Sequence, residues 1–147
     1  MQEAEATFCK AIEVDSSLNL PWQRLGEIYL NTGRPGEAIR VLQTSISLDS
    51  TDGQSYVLLG TVYQSMRQYL PAIRTLKKGA EMDPGNAYVL NELGYIYNLT
   101  HQFAEAEDIF LELIEIDSTN PAFWNNLANS YRNRGMNEQA ERTYLKA

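Results

Sequence analysis

Residues 19–52 read NLPWQRLGEIYLNTGRPGEAIRVLQTSISLDSTD. Trp22, Leu25, Gly26 and Tyr29 fall at i, i+3, i+4 and i+7, the spacing that puts side chains on one face of a 3.6-residue helix. After Gly33-Arg34-Pro35, a turn by composition, the set Ala38, Leu42, Ser45 and Ile46 follows the same rule on a second helix. The stretch therefore reads as a helical hairpin. Gly26 and Ala38 supply the small side chains that let two helix backbones approach closely, and Trp22 fills the space beside the crossing.

Working outward, the same hairpin recurs with a period of 34 residues. Alanine stands at Ala4, Ala38, Ala72, Ala106 and Ala140, and tyrosine at Tyr29, Tyr63, Tyr97 and Tyr131. Leu25, Leu59, Leu93 and Leu127 are each followed by Gly26, Gly60, Gly94 or Ala128. Aspartate closes each unit at Asp15, Asp49, Asp83 and Asp117, behind Val14, Leu48, Met82 or Ile116. No insertion breaks the register. Asn120 before Pro121 reads as an N-cap followed by proline at the first helical position. Asp83-Pro84-Gly85-Asn86 reads as a turn that stops one helix and caps the next. One hairpin buries too little apolar surface alone, so hairpins must stack to make a continuous core.

This pattern resembles the tetratricopeptide repeat, W-x2-L-G-x2-Y followed by A-x3-F and a later P. The first full unit carries Trp22, Leu25, Gly26, Tyr29 and Ala38, with Leu42 at the aromatic position and Ser50 for proline. The second carries Tyr56, Leu59, Gly60, Tyr63, Ala72, Leu76 and Pro84, and the third Leu90, Leu93, Gly94, Tyr97, Ala106, Phe110 and Ser118. The fourth carries Trp124, Leu127, Ala128, Tyr131, Ala140 and Tyr144, while Ala4, Phe8 and Ala11 match a second half-unit upstream. The fold implied is all-α, a right-handed superhelical solenoid of stacked antiparallel helical hairpins without strands. The expected organisation is one domain: residues 1–18 as the second half of a repeat, repeats at 19–52, 53–86 and 87–120, and an incomplete repeat at 121–147. The chain thus starts inside a second helix and stops partway through another, with no polar capping helix. A fragment of a longer array is expected, the other reading being a homo-oligomer stacked through open ends.

The resemblance further implies that the first helix of each hairpin lines a concave groove for protein or peptide. Its positions are Gln23, Arg24, Glu27 and Asn31; Val57, Leu58, Thr61 and Ser65; Tyr88, Asn91, Glu92, Tyr95 and Asn98; and Asn125, Asn126, Asn129, Arg132 and Asn133. Asparagines concentrate in the C-terminal half, where an amide offers both donors and an acceptor to the backbone of an extended peptide. Tyr88 and Tyr95 add flat contact area of the kind enriched at binding hot spots. The candidate binding set is therefore Arg24, Glu27, Tyr88, Asn91, Tyr95, Asn125, Asn126, Asn129, Arg132 and Asn133. Chaperone-binding members hold a C-terminal carboxylate with lysine, arginine and asparagine; here those positions carry Gln23, Glu27, Leu58, Tyr88 and Glu92, so that clamp is missing. The asparagine ladder of a glycosyltransferase arm is at best partial, at Arg24, Leu58, Glu92 and Asn126.

The remaining chemistry is sparse. A net charge of −7 opposes nucleic-acid binding, which wants a basic stripe. No apolar run approaches the roughly 18 residues of a membrane span, nor does the N-terminus carry a signal peptide, so a cytoplasmic, reducing setting is expected. Cys9, the single cysteine, reads as a small buried hydrophobe beside Phe8 and Ile12. His101 is the only histidine and reads as a solvated turn residue; alone it rules out metal sites built on several histidines. The acids Glu105, Glu107, Asp108, Glu112, Glu115 and Asp117 lie along one helix rather than in a calcium loop and read as an outer face. Asn98-Leu99-Thr100 matches a glycosylation sequon, which matters only on secretion. No enzyme, cofactor or metal is expected. The leading expectation is an adaptor or scaffold that holds a protein segment; the alternatives are self-assembly and a substrate-recruiting arm of a larger enzyme.

Overall fold

A computed structural model describes residues 2–147, all-helical apart from the connecting turns, with no strand among the described residues. Two compact units divide at residue 84. The first holds α1 (Gln2–Val14), α2 (Asn19–Asn31), α3 (Pro35–Leu48), α4 (Gly53–Ser65) and α5 (Tyr69–Met82). The second holds α6 (Ala87–Leu99), α7 (Phe103–Ile116), α8 (Pro121–Asn133) and α9 (Asn137–Tyr144). Within the first unit α2 packs on α3 and α4 on α5, α3 joins the two hairpins through α4, and α1 lies on α2. Within the second, α6 packs on α7, α7 on α8, and α8 on α9.

The turn inside each hairpin is set by one position. Gly33, Arg67, His101 and Gly135 all adopt positive φ, between 58° and 80°. The following amides of Arg34, Gln68, Gln102 and Met136 donate to the carbonyls of Tyr29, Tyr63, Tyr97 and Tyr131 at 2.8–2.9 Å. The positive-φ residue itself donates to the carbonyl three residues back, completing a Schellman cap in all four copies. The turn between hairpins is built differently. Asp15, Asp49 and Asp117 each accept from the amide and hydroxyl of Ser17, Thr51 or Thr119. Those bonds favour the ionised carboxylates and hold all three below the ordinary aspartate range. Trp22 and Trp124 then tie the turn down, their indole N–H groups donating to the carbonyls of Ser16 and Ser118 at 2.9 and 2.8 Å. Asp52, Asn86 and Asn120 cap the next helix, as expected for the last two.

The cores follow the register. In the first unit Leu25, Tyr29, Ala38, Leu42, Leu59 and Val62 form one buried cluster, against which Phe8, Cys9 and Ile12 pack from α1. In the second, Leu90, Leu93, Tyr97, Ala106, Phe110, Leu127 and Ala140 are buried. Glycines stand where three of the hairpins approach closely. A Cβ on Gly60 would stand 2.9 Å from Leu76 Cγ, and one on Gly94 2.8 Å from Phe110 Cζ.

Candidate functional site

Because α6 and α7 run antiparallel, as do α7 and α8, the helices α6 and α8 are parallel and share one face of the second unit. Along that face Asn126 Nδ2 donates to Asn91 Oδ1 at 3.1 Å. A recess of about 330 Å³ lies toward the helix N-termini, lined by Ala87, Tyr88 and Asn91 from α6, Ala122 and Phe123 from α8, and Asp117 and Asn120 from the turn. A second, of about 410 Å³, lies toward the C-termini, lined by Tyr95, Asn98 and Leu99, by His101, and by Asn126, Asn129, Arg132 and Asn133. Tyr88 is 76% exposed and Tyr95 47%, large aromatic surfaces that the fold leaves in water.

Eight of the ten candidate residues belong to this unit, and seven of them line the two recesses. Asn125 is exposed and lines neither. Arg24 and Glu27 belong to the first unit, where they pair with each other at 3.0 Å, half exposed. The asparagines do not act as independent amides. Asn126 and Asn91 bond each other, and Asn129 Oδ1 accepts from the Tyr144 hydroxyl at 2.6 Å. Asn98 Oδ1 is buried without a hydrogen-bond partner. Burial also raises the Glu92 carboxyl above the ordinary range, an effect that the neighbouring Asn91 side chain opposes.

The groove position assigned to Gln23 is corrected. Gln23 is buried, and its Nε2 donates to Asp52 Oδ2 at 2.8 Å. Asn19 Nδ2 and Ser55 Oγ donate to the same oxygen at 3.1 and 2.5 Å, and the Ser55 and Ser45 hydroxyls meet at 2.8 Å. Gln23 thus belongs to an internal polar network between α2, α3 and α4, where leaving any member unpaired would be costly. Of the acids on α7, Glu105, Asp108, Glu112 and Glu115 are exposed, whereas Glu107 is half-buried against Arg134.

Some residues of the site have no sequence signal of their own. His101 lines the second recess although it reads as a solvated turn residue; its ring stands edge-on to Phe103 at 5.4 Å. Its register with Gly33 and Gly135 is the trace that could have placed it, since that position fixes the chain direction after α6. Phe123 is buried, and its neighbour Trp124 is the residue that carries the motif.

Helical hairpins repeated in register define an all-α repeat protein, here with two exposed tyrosines on α6 and amides on α6 and α8. Family models described as tetratricopeptide repeat match residues 21–52 and 53–86 and, in a second form, 75–108 and 109–142. The chain belongs to the tetratricopeptide-repeat family, whose members generally mediate protein–protein interactions and are typically non-catalytic. Among solved structures it is similar to MamA, at 21% identity over 97% of this chain and 83% of that one, with a TM-score of 0.84. It is also similar to YrrB, described as a TPR protein with an unusual peptide-binding site, at 22% identity over 99% and 75% of the two chains, TM-score 0.78. The protein pilF of Pseudomonas aeruginosa is 18% identical over 99% and 66%, TM-score 0.85. At these identities the likeness carries the fold. No curated protein matches the chain. No helix among the described residues is long and apolar enough to cross a membrane.

Proposed function

We propose that this chain is a protein-interaction module that holds an extended segment of a partner along α6 and α8. The observation that carries this reading is the pairing of Tyr88 and Tyr95, both exposed, with recesses of about 330 and 410 Å³ on one helix face. Keeping two tyrosine rings in water forfeits burial worth roughly 25 cal/mol per Å², which a partner's apolar surface would recover. Amide and hydroxyl groups around them give an extended backbone the donors and acceptors it needs. The test titrates a partner segment, recovered by pull-down, against wild type, Tyr88→Ala/Tyr95→Ala and a Glu112→Gln/Glu115→Gln control on exposed α7 positions. Truncating hot-spot aromatics costs about 1–2 kcal/mol each, so the tyrosine variant is expected to bind roughly thirty- to a thousand-fold more weakly. A control that loses binding while the tyrosine variant keeps it overturns the reading and moves the interface to α7.

A further inference from the structure

The two recesses differ in charge, and the difference names the chemistry of a ligand. Near the N-terminal recess the only charged lining residue is Asp117, already engaged by Thr119. The C-terminal recess is lined by no carboxylate, and Arg132 is its one permanently charged side chain. Arg132 also occupies the last turn of α8, where one full positive charge outweighs the roughly half-unit negative charge of the helix end. A carboxylate is therefore repelled at one recess and attracted at the other.

The floor of the N-terminal recess is apolar. Phe123 is 6% exposed, Ala87 and Ala122 add methyl groups, and the Tyr88 ring forms an open wall. From Phe123 in the first recess to Arg132 in the second is nine residues of α8, about 13 Å at 1.5 Å each. An extended chain covers that distance in four residues at roughly 3.3 Å each, an even count that keeps both side chains on one face.

Building on the α6–α8 binding face proposed above, we propose that it selects an extended segment bearing one apolar side chain and, four residues away, an aspartate or glutamate. The apolar group fills the recess beside Tyr88 and Phe123, and the carboxylate pairs with Arg132. The exposed acids of α7 oppose an acidic segment at long range, but they act from across the width of a helix, about 10 Å, where physiological salt screens most of their effect.

The experiment pans a random decapeptide library, displayed as an N-terminal fusion so that no free C-terminus is offered. The full chain serves as bait, in wild-type, Arg132→Glu and Tyr88→Ala/Tyr95→Ala forms, each checked for native helicity. On wild type, apolar and acidic residues four positions apart are expected to be enriched, with acid over base by about tenfold, the ratio a charge-assisted bond of about 1.5 kcal/mol gives. Arg132→Glu is expected to invert that preference toward lysine or arginine at the same spacing. Enrichment that the tyrosine variant abolishes but that shows no spaced acid, or no inversion, overturns the motif and leaves the binding face standing. Peptides indifferent to all three substitutions, or no enrichment at all, overturn the motif and the binding face together.

Discussion

The helix crossing at Gly94 makes a prediction whose sign discriminates. A Cβ on Gly94 would meet Phe110 Cζ at 2.8 Å, Phe110 Cε1 at 2.9 Å and Ile109 Cγ2 at 3.1 Å. Carbon atoms prefer about 3.5–4.0 Å, so the ring must retreat by most of an ångström. Phe110 is fully buried and has nowhere to retreat without moving α7. Overpacking of this kind costs about 1–3 kcal/mol, while replacing a mid-helix glycine by alanine returns up to about 1 kcal/mol of helix propensity. Gly94→Ala is thus expected to lose roughly 0–2 kcal/mol. The same substitution at Gly36 in α3, where a Cβ would meet nothing within 4 Å, should gain as much as about 1 kcal/mol. The fourth repeat shows what accommodation requires. There Ala128 carries the methyl, and Tyr144, the counterpart of Phe110, is half-buried with its hydroxyl bonded to Asn129. Urea unfolding of the two variants and wild type reads the result from the midpoints. If Gly94→Ala raises the midpoint as much as Gly36→Ala does, the helices are not in close contact at this glycine and the packing argument fails.

Three further outcomes follow from the turns. Arg67 holds φ of 58° where Gly33 and Gly135 stand in other copies, so Arg67→Gly should stabilise the fold by the roughly 1 kcal/mol that this conformation costs an L side chain, read as a higher urea midpoint; a lower midpoint would contradict it. Trp124→Phe removes the indole donor to the Ser118 carbonyl and should cost about 0.5–1.5 kcal/mol in the same assay, with helicity preserved. Asp15, Asp49 and Asp117 have native pKa values depressed below 3.8, so their bonds stabilise the fold above that pH and are lost as pH falls through the native values. Stability measured from pH 5 downward should therefore fall less steeply when all three are changed to asparagine, and an unchanged slope would refute the linkage.

The hairpins were legible because their determinants repeat. Leucine, glycine, tyrosine and alanine recur at 34 residues, and the Asn120-Pro121 and Asp83-Pro84-Gly85-Asn86 signals mark the expected helix starts. What escaped is a position that never repeats its residue type. Pro21, Ser55, Val89 and Phe123 stand one before the motif residue and are buried in every copy. Ser55 shows the reason, since its hydroxyl meets Ser45 on the preceding helix α3. Burial of Ser55 comes from stacking its hairpin on the preceding one, a contact that no residue type repeats. Self-similarity therefore finds the contacts within a hairpin better than those between hairpins.

For the site, polarity was a good guide to position and a poor guide to availability. Asn91, Asn126, Asn129 and Gln23 all read as free amides on the first helices, yet each has its partner inside the protein. An amide carries donors and an acceptor together, so it is as readily satisfied by a neighbouring amide, hydroxyl or carboxylate as by a ligand. Which one it meets depends on residues 15 to 35 positions away, beyond the reach of helical spacing. The Asn91–Asn126 bond also links α6 to α8, so a ligand that broke it would have to replace both a donor and an acceptor at once. Arg132, exposed and able to pair with a carboxylate, lies instead at the C-terminal end of the face. Polar discrimination should therefore concentrate there, while the opposite recess contributes apolar contact.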